Sequence, residues 1–403
     1  VDSSWYFLRY VSPDLDDAPF DAERANDWMP VDQYVGGLEH AVMHLLYARF
    51  ATKAIADMDM LEHREPFTNL LGQGMVQLEG EKMSKSKGNT VSPQRIVDEY
   101  GADTARLFMM QAARPDTAFD WSEEGVKSTY RFLGRLADTV RSFAGNDADV
   151  SDAHADEDAD PAARYVRSEV DAAVAIATEN FDDLGFDLAT REAQQLVGTL
   201  RSYHAYVDEV HAPTFDRGLT VALKLLAPVA PHLTEELYAE LTAENEGMLV
   251  EADWPTADVD TDESEKRRQL VENTREDVRN IVDVAGIEDP ERIDVVVAPE
   301  WKHEALAIAI DSDADNLVGE LMQKPEIQRH GSAASDYAKD LQAEREALRP
   351  ALAPEREHEA LEAAAWLIER EFEAPVRVRS ADDADDAVAN KAEPGRPAID
   401  IAE

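Results

Sequence analysis

The chain is 403 residues long, enough for two or three domains with their own cores, and 44% of it is apolar. It contains no cysteine, which excludes disulfides and thiolate metal sites and suits a reducing cytosol; no apolar run reaches the ~18 residues of a membrane-spanning helix, so no membrane partner is expected. The 85 acidic residues against 39 basic ones give a formal net charge of −46, which at ordinary ionic strength opposes nucleic-acid binding.

In chain order, the opening Asp2-Ser3-Ser4-Trp5-Tyr6-Phe7 reads as an amphipathic strand that starts in mid-element, without an initiator Met or signal peptide. A fragment is therefore expected. Tyr34-Val35-Gly36-Gly37 reads as a strand end entering a turn, and Glu39 to Asp57 as a helix with Val42, Leu45, Leu46 and Phe50 at helical spacing. Leu70 to Leu78 is a mixed strand and Gly80 to Thr90 a polar loop. Residues 93–113 form two helices broken at Gly101. This alternation predicts an α/β layer over 1–120.

From Trp121 the strand signals stop. Helical periodicity over 121–143, 161–180, 184–211 and 217–245 predicts a bundle over 121–258, with Pro228 and Pro231 breaking the last pair. The Asp- and Ala-rich stretch Asn146–Pro161 is expected as an exposed connection. An acidic linker runs to about Glu265. Residues 266–403 then read as a small α+β domain, with helices at 266–285, 301–311, 334–348 and 355–373 and strands at 292–298, 375–380 and 397–402. The run Ala381–Ala387 reads as a solvated loop.

Acid excess is paired with a scarcity of lysine, only 11 among the 39 basic residues. In molar salt the Debye length falls to ~3 Å and self-repulsion is screened, so this balance suits a halophilic protein. Disorder, the other home of high charge, conflicts with the apolar periodicity.

Against that scarcity, three lysines fall within six positions in Lys82-Met83-Ser84-Lys85-Ser86-Lys87-Gly88-Asn89. Ammonium groups and backbone N–H groups in such a loop can wrap a triphosphate. A generic three-lysine cluster is more often a solvated loop, but this string resembles the signature loop of class I aminoacyl-tRNA synthetases. The resemblance implies that Lys85 stabilises charge on departing pyrophosphate, that Lys82 assists, and that the backbone at Met83, with Ser84 and Ser86, lies against ATP.

A second string, Gly36-Gly37-Leu38-Glu39-His40-Ala41-Val42-Met43-His44, places two histidines one helical turn apart. That spacing hints at zinc, yet Glu39 precedes both histidines and no third ligand is near, so no metal site is assigned. The string resembles the leucyl form of the class I nucleotide site. That likeness implies Gly36, Gly37, Glu39 and His40 at the adenosine or adenylate, and Ser3, Tyr6, His40 and His44 around the amino acid. Gln73-Gly74-Met75-Val76 matches the same family, implying backbone contact between Met75 and the nucleotide. Tyr100-Gly101-Ala102-Asp103-Thr104-Ala105-Arg106 resembles the helix turn that buttresses the loop.

Weaker matches continue through Ala227 to Leu237, similar to the closing helix of the family's anticodon-binding bundle, and through 266–403, similar to the archaeal leucyl C-terminal domain that contacts the long variable arm of leucine tRNA. Two family features are absent, the His-x-Gly-His element and the editing domain. Only five residues separate Val76 from Lys82, which leaves no room for the insertion of many bacterial leucyl enzymes. The resemblance thus implies the C-terminal half of a class I Rossmann-like domain, a helical anticodon-binding bundle and an α+β domain. Its substrates and partners would be ATP with Mg²⁺, leucine, leucine tRNA and the missing N-terminal half of a cytoplasmic leucine–tRNA ligase, with the chain inactive alone. Two rivals are a non-catalytic tRNA-binding protein and one subunit of a split enzyme. An intact lysine loop argues against the first, because a scaffold has no use for it.

Overall fold

The computed structural model describes residues 1–84, 86–144, 160–242 and 247–402. Lys85 and nearly all of the expected Asn146–Pro161 connection lie outside the described residues. The chain divides into two compact units. One comprises Val1–Arg141, Ala177–Glu192 and Leu225–Val250; the other comprises Ser142–Ile176, Ala193–Lys224 and Glu251–Glu403.

The first unit opens with a 3-10 turn, Asp2–Ser4, and helix α1, Tyr6–Tyr10. This corrects the expected strand. Neighbouring Phe7 and Leu8 are both buried, which a helix allows and the alternation of a half-buried strand does not. Helix α2, Ala22–Trp28, follows with Asp21 as its cap, the carboxylate accepting from the Arg24 N–H.

Strand β1, Val31–Gly37, runs directly into α3, Leu38–Ala56, and the chain returns as β2, Phe67–Gln73, parallel to β1. There is no turn between β1 and α3. The crossover is braced by Glu65, which takes two hydrogen bonds from Arg49 and an ion pair from Lys53. Hydrogen bonds from these cations hold the Glu65 carboxyl down at about 2.

The mixed strand expected over 70–78 is interrupted at Gly74. Beyond it a small sheet is built from β3, Val76–Leu78, β4, Glu81–Lys82, and later β5, Phe119–Asp120, in the order β4-β3-β5. Helices α4, Pro93–Tyr100, and α5, Ala102–Gln111, are separated at Gly101, whose φ of +87° is open to glycine at little cost.

The bundle helices are α6, Glu123–Ala144, α7, Pro161–Asp182, α8, Phe186–Tyr206, α9, Ala212–Leu226, and α10, Pro231–Leu241. Each carries a buried apolar stripe. The last expected helix is two, parted at Pro228 and Pro231 as the proline chemistry requires.

Helix α11, Thr261–Ala285, starts five residues before the expected 266, because the Asp260 carboxylate caps the Glu263 N–H; it ends at left-handed Gly286. Strand β6, Arg292–Val296, precedes α12, Glu300–Asp311, α13, Leu317–Leu321, α14, Pro325–Gln328, α15, Gly331–Ala343, and α16, Pro354–Phe372. Strand β7, Val376–Arg379, helix α17, Asp386–Ala389, and strand β8, Ala398–Ala402, complete the unit. The acidic run 381–387 is a 3-10 turn and the start of α17 rather than a plain loop.

In the closing sheet β6 is central, parallel to β7 and antiparallel to β8. Its Ile293 and Val295, with Val297 just beyond the strand, pack in one core with Leu270 and Val278 of α11 and Leu361 of α16. Helices α12 to α15 enclose a second core around Trp301, Leu306, Leu317, Leu321 and Tyr337. Between these cores Glu357 is fully buried. One of its oxygens accepts from the Gly395 N–H at 2.6 Å, and the other faces His303 Nε2 at 3.6 Å.

Candidate active site

Ligand sites in parallel α/β layers lie beyond the C-terminal ends of the strands. In this chain that edge is glycine-rich. Gly36 pairs with Gly72 and Gly37 with Gln73 at the ends of β1 and β2. A Cβ on Gly37 would lie 2.7 Å from Glu39 Oε2, and one on Gly36 would lie 3.6 Å from the His40 Cβ. Gly36, Gly37, Glu39 and His40 are therefore one continuous surface at the N-terminus of the 19-residue α3, where backbone N–H groups and the helix dipole favour an anion.

One turn further on, His44 joins the opening segment to β1. Its Nε2 lies 2.7 Å from the Ser3 carbonyl, which can only accept, so that nitrogen carries a proton. In the neutral ring Nδ1 then accepts from the Tyr34 hydroxyl at 2.8 Å. Burial, then the neighbouring Tyr6, pushes the Tyr34 phenol up, which keeps it a donor. The Tyr6 ring lies 5.8 Å from the His44 ring, and Tyr34 stacks on Phe67 with centroids 4.4 Å apart. Ser3, Tyr6 and His44 are thus brought together, in a turn and helix rather than a strand. Tyr34 and Phe67 belong to the same cluster and were missed. The signal for Tyr34 was its place in β1, four residues ahead of the start of α3.

The lysine loop leaves the same edge. β2 ends at Gln73, and Gly74 passes so close to Thr117 that a Cβ would lie 2.2 Å from its backbone. Met75, by its carbonyl, accepts from the Phe119 N–H, and the Trp121 N–H donates to Gln77. The Gly80 N–H donates to Asp120 at 2.7 Å, closing the hairpin that presents Lys82. Within the loop the Asn89 side chain accepts from the Ser84 N–H at 2.9 Å and donates to the Lys82 carbonyl at 3.2 Å. The Ser84 and Ser86 hydroxyls are 2.7 Å apart, Met83 is half-buried, and Lys82 is exposed. Lys87 is tied to Glu81 at 2.9 Å. The loop base is thus pinned by Asn89 and Asp120, neither of which the sequence had singled out for a role, and the Lys82 side chain stays exposed.

A parallel layer with a glycine edge, a lysine loop hung from it and a helical bundle downstream define the class I tRNA synthetases. Residues 15–122 match the family described as tRNA synthetases class I (I, L, M and V), and residues 163–297 match the anticodon-binding domain of tRNA ligases.

The leucine–tRNA ligase of Halobacterium salinarum is 56% identical over 404 residues, covering 100% of this chain and 44% of that protein. That of Thermotoga maritima is 38% identical over 305 residues, 73% of this chain and 36% of its own length. A solved LeuRS of Agrobacterium radiobacter, in a ternary complex with tRNA and LeuAMS, superposes with a TM-score of 0.59 at 25% identity, over 82% of this chain and 38% of that one. The chain belongs to the leucine–tRNA ligase family, and it spans less than half the length of these relatives. The acidic, lysine-poor composition agrees with the salt-loving source of the Halobacterium relative.

Proposed function

We propose that this chain supplies the lysine-loop half of the active site, and the tRNA-binding domains, of a cytoplasmic leucine–tRNA ligase. The enzyme activates leucine with ATP and transfers it to leucine tRNA. The observation that carries the reading is the β3–β4 hairpin, 76–82, which follows the end of β2 next to the Gly36–Gly37 edge and leads into the lysine loop.

In the first step a leucine carboxylate oxygen attacks the α-phosphorus and the bond to pyrophosphate breaks. Gly36, Gly37, Glu39 and His40 line the nucleotide at the α3 N-terminus, with the backbone of Met75 and Met83 beside it and Ser84 and Ser86 in reach of phosphate oxygens. Ser3, Tyr6, His40 and His44 shape the leucine pocket, the Tyr34–His44–Ser3 chain fixing the imidazole. Lys85, assisted by Lys82, meets charge as it grows on pyrophosphate, a task suited to a mobile ammonium. Mg²⁺, which the chemistry of ATP calls for, would ride on the phosphates.

The outward face of α3 supports a further polypeptide segment as the other half of the site. Leu38, Val42, Met43, Leu46 and Phe50 are all more than 60% exposed, an apolar stripe too long to leave in water. The His-x-Gly-His element absent from the chain would come from that segment. Residues 1–120 form the catalytic half, 121–258 the anticodon-binding bundle, and 266–403 the domain for the tRNA variable arm. No helix among the described residues is long and apolar enough to cross a membrane.

Lys85→Ala, made in the chain joined to the segment that supplies the other half of the site, tests the reading. A preorganised transition-state donor is worth ~10²–10³ in rate, so leucine-dependent ATP–pyrophosphate exchange should slow by about that factor. The KM for ATP should change much less. Wild-type exchange in the variant would remove Lys85 from the mechanism, and a wild-type protein without exchange would remove the ligase reading.

A further inference from the structure

Helix α10 lacks a cap of its own. Its N-cap residue is Ala230, no side chain from its own segment accepts there, and Pro231 begins the helix. The missing acceptor comes from 130 positions away, where Asp103 Oδ2 on α5 receives the Leu233 N–H at 2.6 Å. The other Asp103 oxygen faces His232 Nδ1 at 3.9 Å. One turn further along α5, the Arg106 guanidinium donates to the carbonyls of Val229 at 2.9 Å and Pro228 at 3.0 Å. Two side chains on one face of α5 thus satisfy both sides of the α9–α10 turn: a carboxylate takes an orphan N–H and a guanidinium gives to orphan C=O groups.

The far face of α5 holds the loop. Phe108 packs edge-on against Trp121 at 4.9 Å and Phe119 at 6.2 Å. Those two residues flank Asp120, which anchors Gly80 at the hairpin turn. Val91, at the end of the lysine loop, joins the same cluster. A Cβ at Gly125 would lie 2.7 Å from the Phe108 ring, so the ring has no room to slide toward α6. An unbroken series of contacts therefore runs from the α9–α10 turn through α5 to the base of the lysine loop.

We propose that Asp103 and Arg106 are positioning residues for adenylate formation, holding α5, and through Phe108 the lysine loop, at a fixed offset from the α9–α10 turn. The proposal rests on the ligase reading above. A misplacement of about 1 Å in a reacting group can cost ~10²-fold, so a modest loosening of α5 registers in rate before it registers in binding.

The test uses the chain joined to the segment that supplies the other half of the site, with rates read about 20 °C below the Tm of each variant so that unfolding contributes to none. Arg106→Gln and Asp103→Ala should each lower kcat for leucine-dependent pyrophosphate exchange by ~10-fold or more. Transfer from preformed leucyl-adenylate to tRNA should change by less than ~2-fold, because no pyrophosphate leaves in that step. A general loss of structure would lower both. Adding Ala230→Ser to Asp103→Ala restores a local cap without restoring the link to α5, so Tm should recover while kcat should not. If exchange returns together with Tm, or if Arg106→Gln exchanges at the wild-type rate, the pair is only a helix brace and the proposal is overturned. Absence of exchange in the wild-type protein would instead overturn the ligase reading, and this inference with it.

Discussion

Among single residues, Glu357 carries the clearest measurable signature. Burial raises its carboxyl to about 7, against the opposing Gly395 N–H. An unfolded glutamate titrates near 4.5, so between pH 4.5 and 7 the folded chain holds a proton that the unfolded chain has lost. Stability from this group is therefore present at low pH and declines as pH rises through that window. His303, which burial keeps neutral, acts in the opposite direction below its ordinary value of 6.5. The difference between wild type and Glu357→Gln isolates the carboxyl. A glutamine can still accept from Gly395 and carries no charge, so the variant should match wild type near pH 4.5 and exceed it at pH 8 by on the order of 3 kcal/mol. Denaturant unfolding across that range measures the gap. A gap independent of pH would mean that Glu357 does not hold its proton in the fold.

Among elements, the β2–β3 junction is where backbone meets backbone. Any side chain at Gly74 would collide with the Thr117 peptide, and a peptide held by strand pairing on one side cannot swing away as a flexible side chain could. Gly74→Ala should cost ~2 kcal/mol or more. Gly134, within α6, has nothing within 4 Å of a built Cβ, and there alanine should stabilise by ~0.4–1 kcal/mol. Equal unfolding free energies for the two variants would contradict this account of the junction. Local chemistry of this kind is what sequence reading captures. Gly101 parts α4 from α5 and the Pro228/Pro231 pair parts α9 from α10, because each break is written in its own residue. Asp260-x-x-Glu263 and Pro325 were equally readable signals for the start of α11 and for α14, and were passed over. Ser3 and His44, 41 positions apart, meet only once the fold exists, so their hydrogen bond was not legible; nor was the strand character of 2–7 refutable without seeing Phe7 and Leu8 buried together.

For the whole molecule, the −46 charge sets the conditions of folding. Unscreened, carboxylates repel across every face; at ~1 M salt the Debye length of ~3 Å confines each to its neighbours. The Tm of the chain should climb steeply as potassium chloride goes from 0.1 M toward molar concentrations. A Tm that stays level or falls would detach the acidity from any salt adaptation. Composition made this expectation available before any element was placed.

The first unit is assembled from three separated stretches, the last of which ends at Val250. Its parts therefore leave the ribosome at different times. Leu233 follows Asp103 by 130 residues, which at ~5–20 residues per second is a wait of roughly 7–26 s. During that interval the loop sheet can pack on Phe108, but the opposite side of α5 faces water with its carboxylate and guanidinium unspent. A premature stop between residues 142 and 227 would then do more than truncate the second unit: it would leave the first permanently without its last brace, which two domains strung in simple succession would never suffer.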